Sequence, residues 1–155
     1  MIGLEKLTEE QRKKRQQENE AKKEYLQSYK KYKQKAKRLE EQLEELRLGK
    51  MFPSMGMSDM PGAHNQKDLS DYMVQYDRIE TNIIKARKDA IIRYEEVRQQ
   101  IEQLEDENEK RVLTLRYLRD YKWEKIACEI NVGWRQIHRI HGNALKNLKI
   151  NENKY

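Results

Sequence analysis

The sequence has few of the residues that interrupt helices or cross-link a chain. Only six of its 155 residues are glycine, two are proline and one is cysteine. A single cysteine, Cys128, excludes an intramolecular disulfide and a cysteine-based zinc site. Long runs of lysine, arginine, glutamate, glutamine and leucine are left between the few glycines and prolines, and such runs are typical of long helices. The composition therefore predicts an all-α fold and argues against strands.

Apolar residues are also scarce. They make up 36% of the chain against 39% charged residues, and the mean hydropathy is -1.19. This leaves little material for a large core. No apolar run approaches the roughly 20 residues that cross a bilayer, and residues 1–6 lack the apolar run of a secretory signal. We therefore expect a cytoplasmic protein with no membrane partner.

Two long segments have the apolar spacing of coiled coils, alternating between three and four residues. A capping box at Thr8 predicts where the first helix begins, Gly49 where it ends, and Asp68 where the second begins. The first seam is Tyr25, Tyr29, Tyr32, Ala36, Leu39, Leu43 and Leu46. The second is Leu69, Tyr72, Tyr76, Ile79, Ile83, Ala86, Ala90, Tyr94, Val97, Ile101 and Leu104. Two consecutive four-residue steps after Ala86 predict a stutter in the second seam.

Residues 49–67 separate the two seams. They contain both prolines, three glycines and four methionines, with no helical period, and therefore indicate a loop that is either mobile or a contact surface. Two seams of similar length joined by a loop predict a long antiparallel helical (coiled-coil) hairpin over residues 1–105. Pairing between two chains is the alternative, because the spacing of apolar residues does not show whether the partner helix belongs to the same chain.

The positive charge is unevenly distributed. Residues 1–108 hold 22 basic and 22 acidic side chains, whereas residues 109–155 hold 11 and 5. The excess at the C-terminal end is expected of a segment that meets phosphates, and a charged surface kept for solubility is the alternative. Residues 12–38 also carry twelve basic and three acidic side chains. That run either contacts a DNA backbone or is a solvated face.

Residues 106–155 have the pattern of a three-helix domain with a helix-turn-helix. Asp106 or Asn108 can cap a helix over 109–118, and further helices are expected over 123–130 and from Trp134 to about 149. Small Ala127 lets two helices approach, and Asn131 can take the left-handed turn conformation. The residues expected to face inward are Val112, Leu113, Leu115, Tyr117, Ile126, Ala127, Ile130, Val132, Ile137, Ile140, Ala144, Leu145 and Leu148.

The outward residues of the last helix are long hydrogen-bond donors. A recognition helix enters the major groove with its N-terminal part against base edges, and arginines one turn apart suit guanine. The candidate base-reading residues are Trp134, Arg135, Gln136, His138 and Arg139. The candidate phosphate contacts, which position the module without reading sequence, are Arg116, Lys122, Lys125, Asn143 and Lys146.

Three stretches resemble region four of bacterial sigma factors: residues 108–118 (NEKRVLTLRYL), 123–127 (WEKIA) and 136–148 (QIHRIHGNALKNL). The resemblance implies that the outward residues at the start of the last helix read a promoter element. The whole chain, including SDMPG at residues 58–62, resembles small sigma-like (ArpU-like) regulators of phages and prophages in Gram-positive bacteria. The chain departs from the family pattern at Lys122 and Gly133, where Ser or Thr is common, and at Asn131, which replaces a glycine.

These observations predict a sequence-specific, DNA-binding transcription regulator, phage-encoded and sigma-like, in the cytoplasm of a bacterial host. Its expected partners are double-stranded DNA, RNA polymerase and a second copy joined through the hairpin. A phage packaging component similar to a terminase small subunit is the alternative, and a pure interaction protein is a third. Cys128, His138 and His141 lack a fourth metal ligand. Because no catalytic arrangement is evident, we predict no enzyme, no metal and no cofactor.

Overall fold

The computed structural model describes residues 8–51 and 65–151, and all regular structure in these ranges is helical. The long helices α1 and α2 are followed by three short ones, and a π-helical turn continues the first of these three. Their bounds are Glu9–Met51 for α1, Asn65–Glu102 for α2, Glu107–Leu113 for α3, Trp123–Ile130 for α4 and Trp134–Asn147 for α5, with the π turn at Thr114–Leu118. The predicted all-α class is confirmed. None of the helices in the described ranges combines the length and apolarity needed to span a membrane.

The chain divides into two compact units. One contains residues 31–92, and the other joins residues 1–30 to residues 93–155. The helix-turn-helix segment therefore shares a compact unit with the first part of α1 and the last part of α2. A boundary at residue 105 stays a prediction.

Within the unit of residues 31–92, α1 and α2 run antiparallel. The Arg87 guanidinium lies 2.6 Å from a Glu40 carboxylate oxygen, and Arg47 donates a hydrogen bond of 2.7 Å to the Tyr76 hydroxyl. Later positions of α1 thus meet earlier positions of α2, so the two seams pair within one chain. The buried hydrophobic residues described in this unit are Ala36, Leu43, Ile83, Ala86 and Ala90.

The predicted start of α1 is confirmed, whereas its predicted end is wrong. The Thr8 N–H donates to Gln11 Oε1 at 3.0 Å, and the Gln11 N–H donates to Thr8 Oγ1 at 3.4 Å. α1 continues through Gly49 to Met51, and α2 begins at Asn65. A glycine inside a helix costs only about 1 kcal/mol, which the strong helix formers before it offset. Residues 52–64, with most of the predicted loop and its SDMPG segment, lie outside the described residues.

In the second seam, Arg93 is buried beside the predicted Tyr94, whose ring packs edge-on against that of Tyr29 with the centroids 5.2 Å apart. Arg93 is 8% exposed and Tyr94 is 37% exposed. The Arg93 guanidinium lies over the Tyr25 ring and 3.5 Å from Glu96, while its aliphatic stem is covered as a hydrophobic side chain would be. The two consecutive four-residue steps therefore follow Arg93 rather than Ala86. By burial, the stutter begins at Arg93, about two helical turns after the predicted position at Ala86.

Candidate nucleic-acid interface

The helix-turn-helix is built on an apolar cluster between α3, α4 and α5. Asp106 caps α3, because its Oδ1 accepts a hydrogen bond of 3.0 Å from the Glu109 N–H. The buried members of the cluster are Val112, Leu115, Ile126, Ile137 and Ile140, with Ala127, Ile130 and Val132 packed against them. Each of these was predicted to face inward. The cluster fixes the orientation of α5 within this unit.

The π turn after α3 was not predicted. The Arg119 N–H donates to Thr114 O at 3.0 Å, and the Tyr121 N–H donates to Leu115 O at 2.9 Å. Leu115, Tyr117 and Leu118 are all buried here. A π turn is closed by i→i+5 hydrogen bonds and is therefore wider than an α-helical turn. Residues 109–118 are helical as expected, but their last part is not α-helical.

The connection between α4 and α5 has the predicted left-handed residue. Asn131 has φ 59° and ψ 50°. Its N–H donates to Cys128 O at 3.2 Å, and the Val132 N–H donates to Ala127 O at 3.0 Å. These bonds satisfy carbonyls at the end of α4 and turn the chain toward α5. α5 then begins after Gly133, which has no side chain to cap it.

α5 separates into the two faces that the sequence predicted. Ile137, Ile140, Ala144, Leu145 and Leu148 are buried. The exposed residues include Trp134, Arg135, Gln136, His138, Arg139 and Asn143. Because the helix has 14 residues, it extends about 21 Å at 1.5 Å per residue. All five candidate base-reading residues therefore lie accessible on the first half of one anchored helix.

Four basic or polar side chains form a stripe along this exposed face. Arg135, Arg139, Asn143 and Lys146 follow one another at spacings of four, four and three residues, which keeps them on one side of a helix. All four are exposed. Among the described ion pairs, none involves Arg135 or Arg139. Their donors are thus available to an external partner.

Trp134 and His138 belong to a row of rings that begins on the exposed face and ends in the core. The His138 ring centroid lies 4.7 Å from that of Trp134 and 4.9 Å from that of Trp123. Trp123 in turn lies 4.8 Å from His141. The packing restricts the rotamers of Trp134 and His138 without burying them. Their edges are therefore held in place before any partner binds.

His141 is a structural residue that sequence reasoning missed. It is 8% exposed, and its Nε2 lies 2.9 Å from the Tyr117 hydroxyl. Burial is the main cause that lowers the pKa of His141 to about 4, and positive charge from Lys23, His138 and Arg116 adds to it. Burial also raises the pKa of Tyr117 to about 12. The spacing of His138 and His141 by one helical turn did not predict that His141 would bond a tyrosine 24 residues earlier in the chain.

Two further polar contacts attach the C-terminal part of α5 to the rest of its unit. Asn147 Nδ2 donates to both carboxylate oxygens of Glu109, each at 3.1 Å. Glu109 is only 7% exposed. Lys22 Nζ from α1 donates to Leu145 O at 2.8 Å, which places a positive charge at the helix C-terminus. These contacts were not predicted, because each joins residues distant in sequence.

The candidate phosphate contacts fall into two groups. Lys122, Asn143 and Lys146 are exposed. Arg116 is half-buried, donates to Tyr121 O at 3.0 Å and lies over the Trp123 ring. Lys125 Nζ lies 3.6 Å from the centroid of the Tyr121 ring. Arg116 and Lys125 thus have intramolecular contacts that a phosphate would compete with or share.

The candidate metal ligands are not brought together in the part of the chain that the structure describes. No group of three His, Cys, Asp or Glu residues there could hold an ion. Cys128 is exposed on α4, whereas His141 is buried against Tyr117. The two histidines contact Trp123 instead of a shared centre.

The helix-turn-helix lies within a segment that matches a known protein family. A family model described as a protein of unknown function (DUF1492) matches residues 52–149. No curated protein and no solved structure matches the chain. The matched residues include the whole helix-turn-helix.

Proposed function

The chain belongs to the family described as a protein of unknown function (DUF1492), and we propose that it is a sequence-specific, double-stranded-DNA-binding transcription regulator. In this proposal α5 enters the major groove, and Trp134, Arg135, Gln136, His138 and Arg139 contact base edges. The phosphate backbone is contacted by Lys122, Asn143 and Lys146. It is also contacted by Arg116 and Lys125, which must loosen or share their intramolecular contacts to reach it.

The observation that carries the proposal is the exposed stripe of α5, whose two arginines have no ion pair among the described residues. A solvated surface helix usually surrounds its arginines with acidic partners, and the outward face of α5 has no acidic residue between Trp134 and Asn147. A guanidinium presents a rigid fork of donors that matches guanine O6 and N7. Both forks stand on a helix that is anchored on its other face. Such an arrangement favours base recognition over general solubility.

The resemblance to sigma region four supports a more specific role at promoters. We propose that the protein is a phage-encoded, sigma-like regulator that acts in the cytoplasm of its bacterial host and contacts RNA polymerase. It would carry the promoter-reading module without melting promoters by itself. We also propose that the helical hairpin of residues 1–105 joins two copies into a homodimer, which carries two such modules.

Selection of bound duplexes from a random-sequence pool tests the proposal. We expect enrichment of one motif, bound by the full chain about 10³-fold or more tightly than unrelated duplex. Affinity should fall linearly on a plot of log K against log salt, because several phosphates are neutralised. Recovery of no motif at any salt concentration, with binding equal for all duplexes or absent, would refute sequence-specific recognition.

A further inference from the structure

The helix α2 has a second apolar face in addition to its seam. Within residues 31–92, Met73, Val74, Ile84, Ile91 and Ile92 are 46%, 64%, 64%, 69% and 46% exposed, and we call these five residues the outer face of α2. At 100° per residue, Met73, Ile84 and Ile91 lie within about 20° of one another around the helix. Val74 and Ile92 lie about a quarter of a turn further round the helix on one side. Ile83 and Ala90, which are buried against α1, lie on the other side of the helix.

An outer face of this composition is unusual for a solvated helix. Isoleucine and valine are weaker helix formers than the lysine, glutamate and alanine that usually occupy such positions. Single exposed apolar residues are ordinary, but Met73, Ile84 and Ile91 recur on one line over about 27 Å of helix. The residues between them on that line are charged, so the surface combines apolar side chains with a polar rim, as contact surfaces do. These apolar residues lower the helix propensity and the solubility of α2, and burying them in an interface would offset both effects.

The buried core of the same unit is thin. Of its five described buried hydrophobic residues, three are alanines, Ala36, Ala86 and Ala90. A helix pair whose described core contains so few large apolar side chains is usually stabilised by an additional layer, often through oligomerisation. A second pair of helices on the outer face of α2 would supply that layer and complete a four-helix arrangement.

Charges beside the outer face identify the partner. Asp77 and Glu80 lie between Met73 and Ile84 on the same side of the helix. Lys88 lies between Ile84 and Ile91, and Lys85 lies beside Val74 and Ile92. Each pair has like charges three residues apart, which is unfavourable in an isolated helix. None of the four belongs to a described ion pair. An identical helix laid antiparallel, with a two-fold axis near Ile84, would bring Glu80 of each copy beside Lys88 of the other.

We propose that the outer face of α2 binds a second copy of this chain, so that two α2 helices pack antiparallel about Ile84. The interface is isologous: the same patch serves both copies, and the Glu80–Lys88 contact occurs twice. The proposal specifies the homodimer named above but does not depend on DNA binding. Its tests use the full chain without DNA, so their outcome is separate from the outcome of the duplex selection.

Sedimentation equilibrium of the full chain over a range of concentrations tests the interface. We expect twice the mass of the 18.9 kDa chain for the wild type, and the mass of one chain for Ile84→Glu with Ile91→Glu. Asn82→Glu with Gln75→Glu is the matched control, since Asn82 and Gln75 are exposed residues of α2 outside the outer face, and it should remain a dimer. Circular dichroism checks that every variant keeps its helices. A wild-type monomer, or a folded Ile84→Glu/Ile91→Glu dimer, would overturn the proposal.

Charge reversal tests the antiparallel register. Glu80→Lys alone and Lys88→Glu alone should each weaken self-association about tenfold, because two attractive contacts become two repulsive ones. The double variant should regain wild-type association, and an equimolar mixture of the two single variants should form heterodimers. A mixture that associates no better than either variant alone would exclude the antiparallel contact between Glu80 and Lys88.

Discussion

Replacing both Arg135 and Arg139 by alanine should weaken binding to the selected duplex by roughly 10² to 10⁴-fold while leaving the fold intact. Each bidentate arginine–guanine contact contributes about 1–3 kcal/mol of discrimination, and the two residues belong to the same exposed stripe. Neither side chain has a described ion pair to lose on substitution. Fluorescence anisotropy with the selected and an unrelated duplex at one fixed salt concentration measures the effect.

Arg12→Ala with Arg15→Ala is the matched control for the arginine pair. It removes the same charge from exposed positions in the first turns of α1. We expect affinity to fall less than about tenfold, and by the same factor for all duplexes. Arg12 and Arg15 contact either phosphates, which carry no sequence information, or no part of the DNA. If the control lowers the specificity ratio as much as the α5 variant does, the loss reflects total charge, and base reading by α5 is wrong.

Stability should fall by about 3 kcal/mol as the pH drops from 6.5 to 4, because of His141 alone. Its pKa is lowered to about 4 in the fold from an ordinary value of 6.5, so the unfolded chain binds a proton in this window that the folded chain excludes. The stabilisation is complete above pH 6.5 and is lost as the pH falls through the folded pKa, at about 1.4 kcal/mol per pH unit. Urea unfolding at a series of pH values measures it.

His141→Gln isolates this contribution, since a glutamine amide does not titrate and can still bond the Tyr117 hydroxyl. The variant should be less stable than the wild type at pH 7, and the difference between the two should shrink toward pH 4. His138→Gln removes an exposed imidazole from the same helix and one of the charges that lower the pKa of His141. It should therefore keep the loss of stability toward low pH but complete it at a slightly higher pH. Parallel stability curves for the wild type and His141→Gln would contradict the assignment of a neutral, buried imidazole.

Much of the fold followed from periodicity, because the main seams and the two faces of α5 depend on local spacing. The left-handed turn at Asn131 was also predictable, since it rests on the chemistry of one residue. Periodicity assumes one partner for each helix, and it fails where a helix has two. Leu26 lies off the predicted seam, yet it is fully buried among residues of α2, the π turn and α5.

The sequence did not reveal which polar side chains are buried or which residues they contact. The contacts of Glu109 with Asn147 and of His141 with Tyr117 join residues 38 and 24 positions apart. A buried polar side chain needs a partner, but its own type does not indicate which residue that is. Arg93 was missed for a related reason, because an arginine stem can occupy a seam position that apolar spacing assigns to its neighbour. The candidate base-reading residues were predictable because they are the positions at the start of α5 that do not face the apolar core.

Methylation of guanine N7 by dimethyl sulfate tests most directly whether α5 reads bases in the major groove. On the selected duplex, wild-type protein should protect at least one guanine N7 for each bound α5, because the arginine fork covers O6 and N7 together. Arg135→Ala and Arg139→Ala should each restore methylation at a different guanine under conditions where the duplex remains bound. Full methylation of every guanine under saturating protein, or protection that both variants leave unchanged, would contradict major-groove reading by this helix.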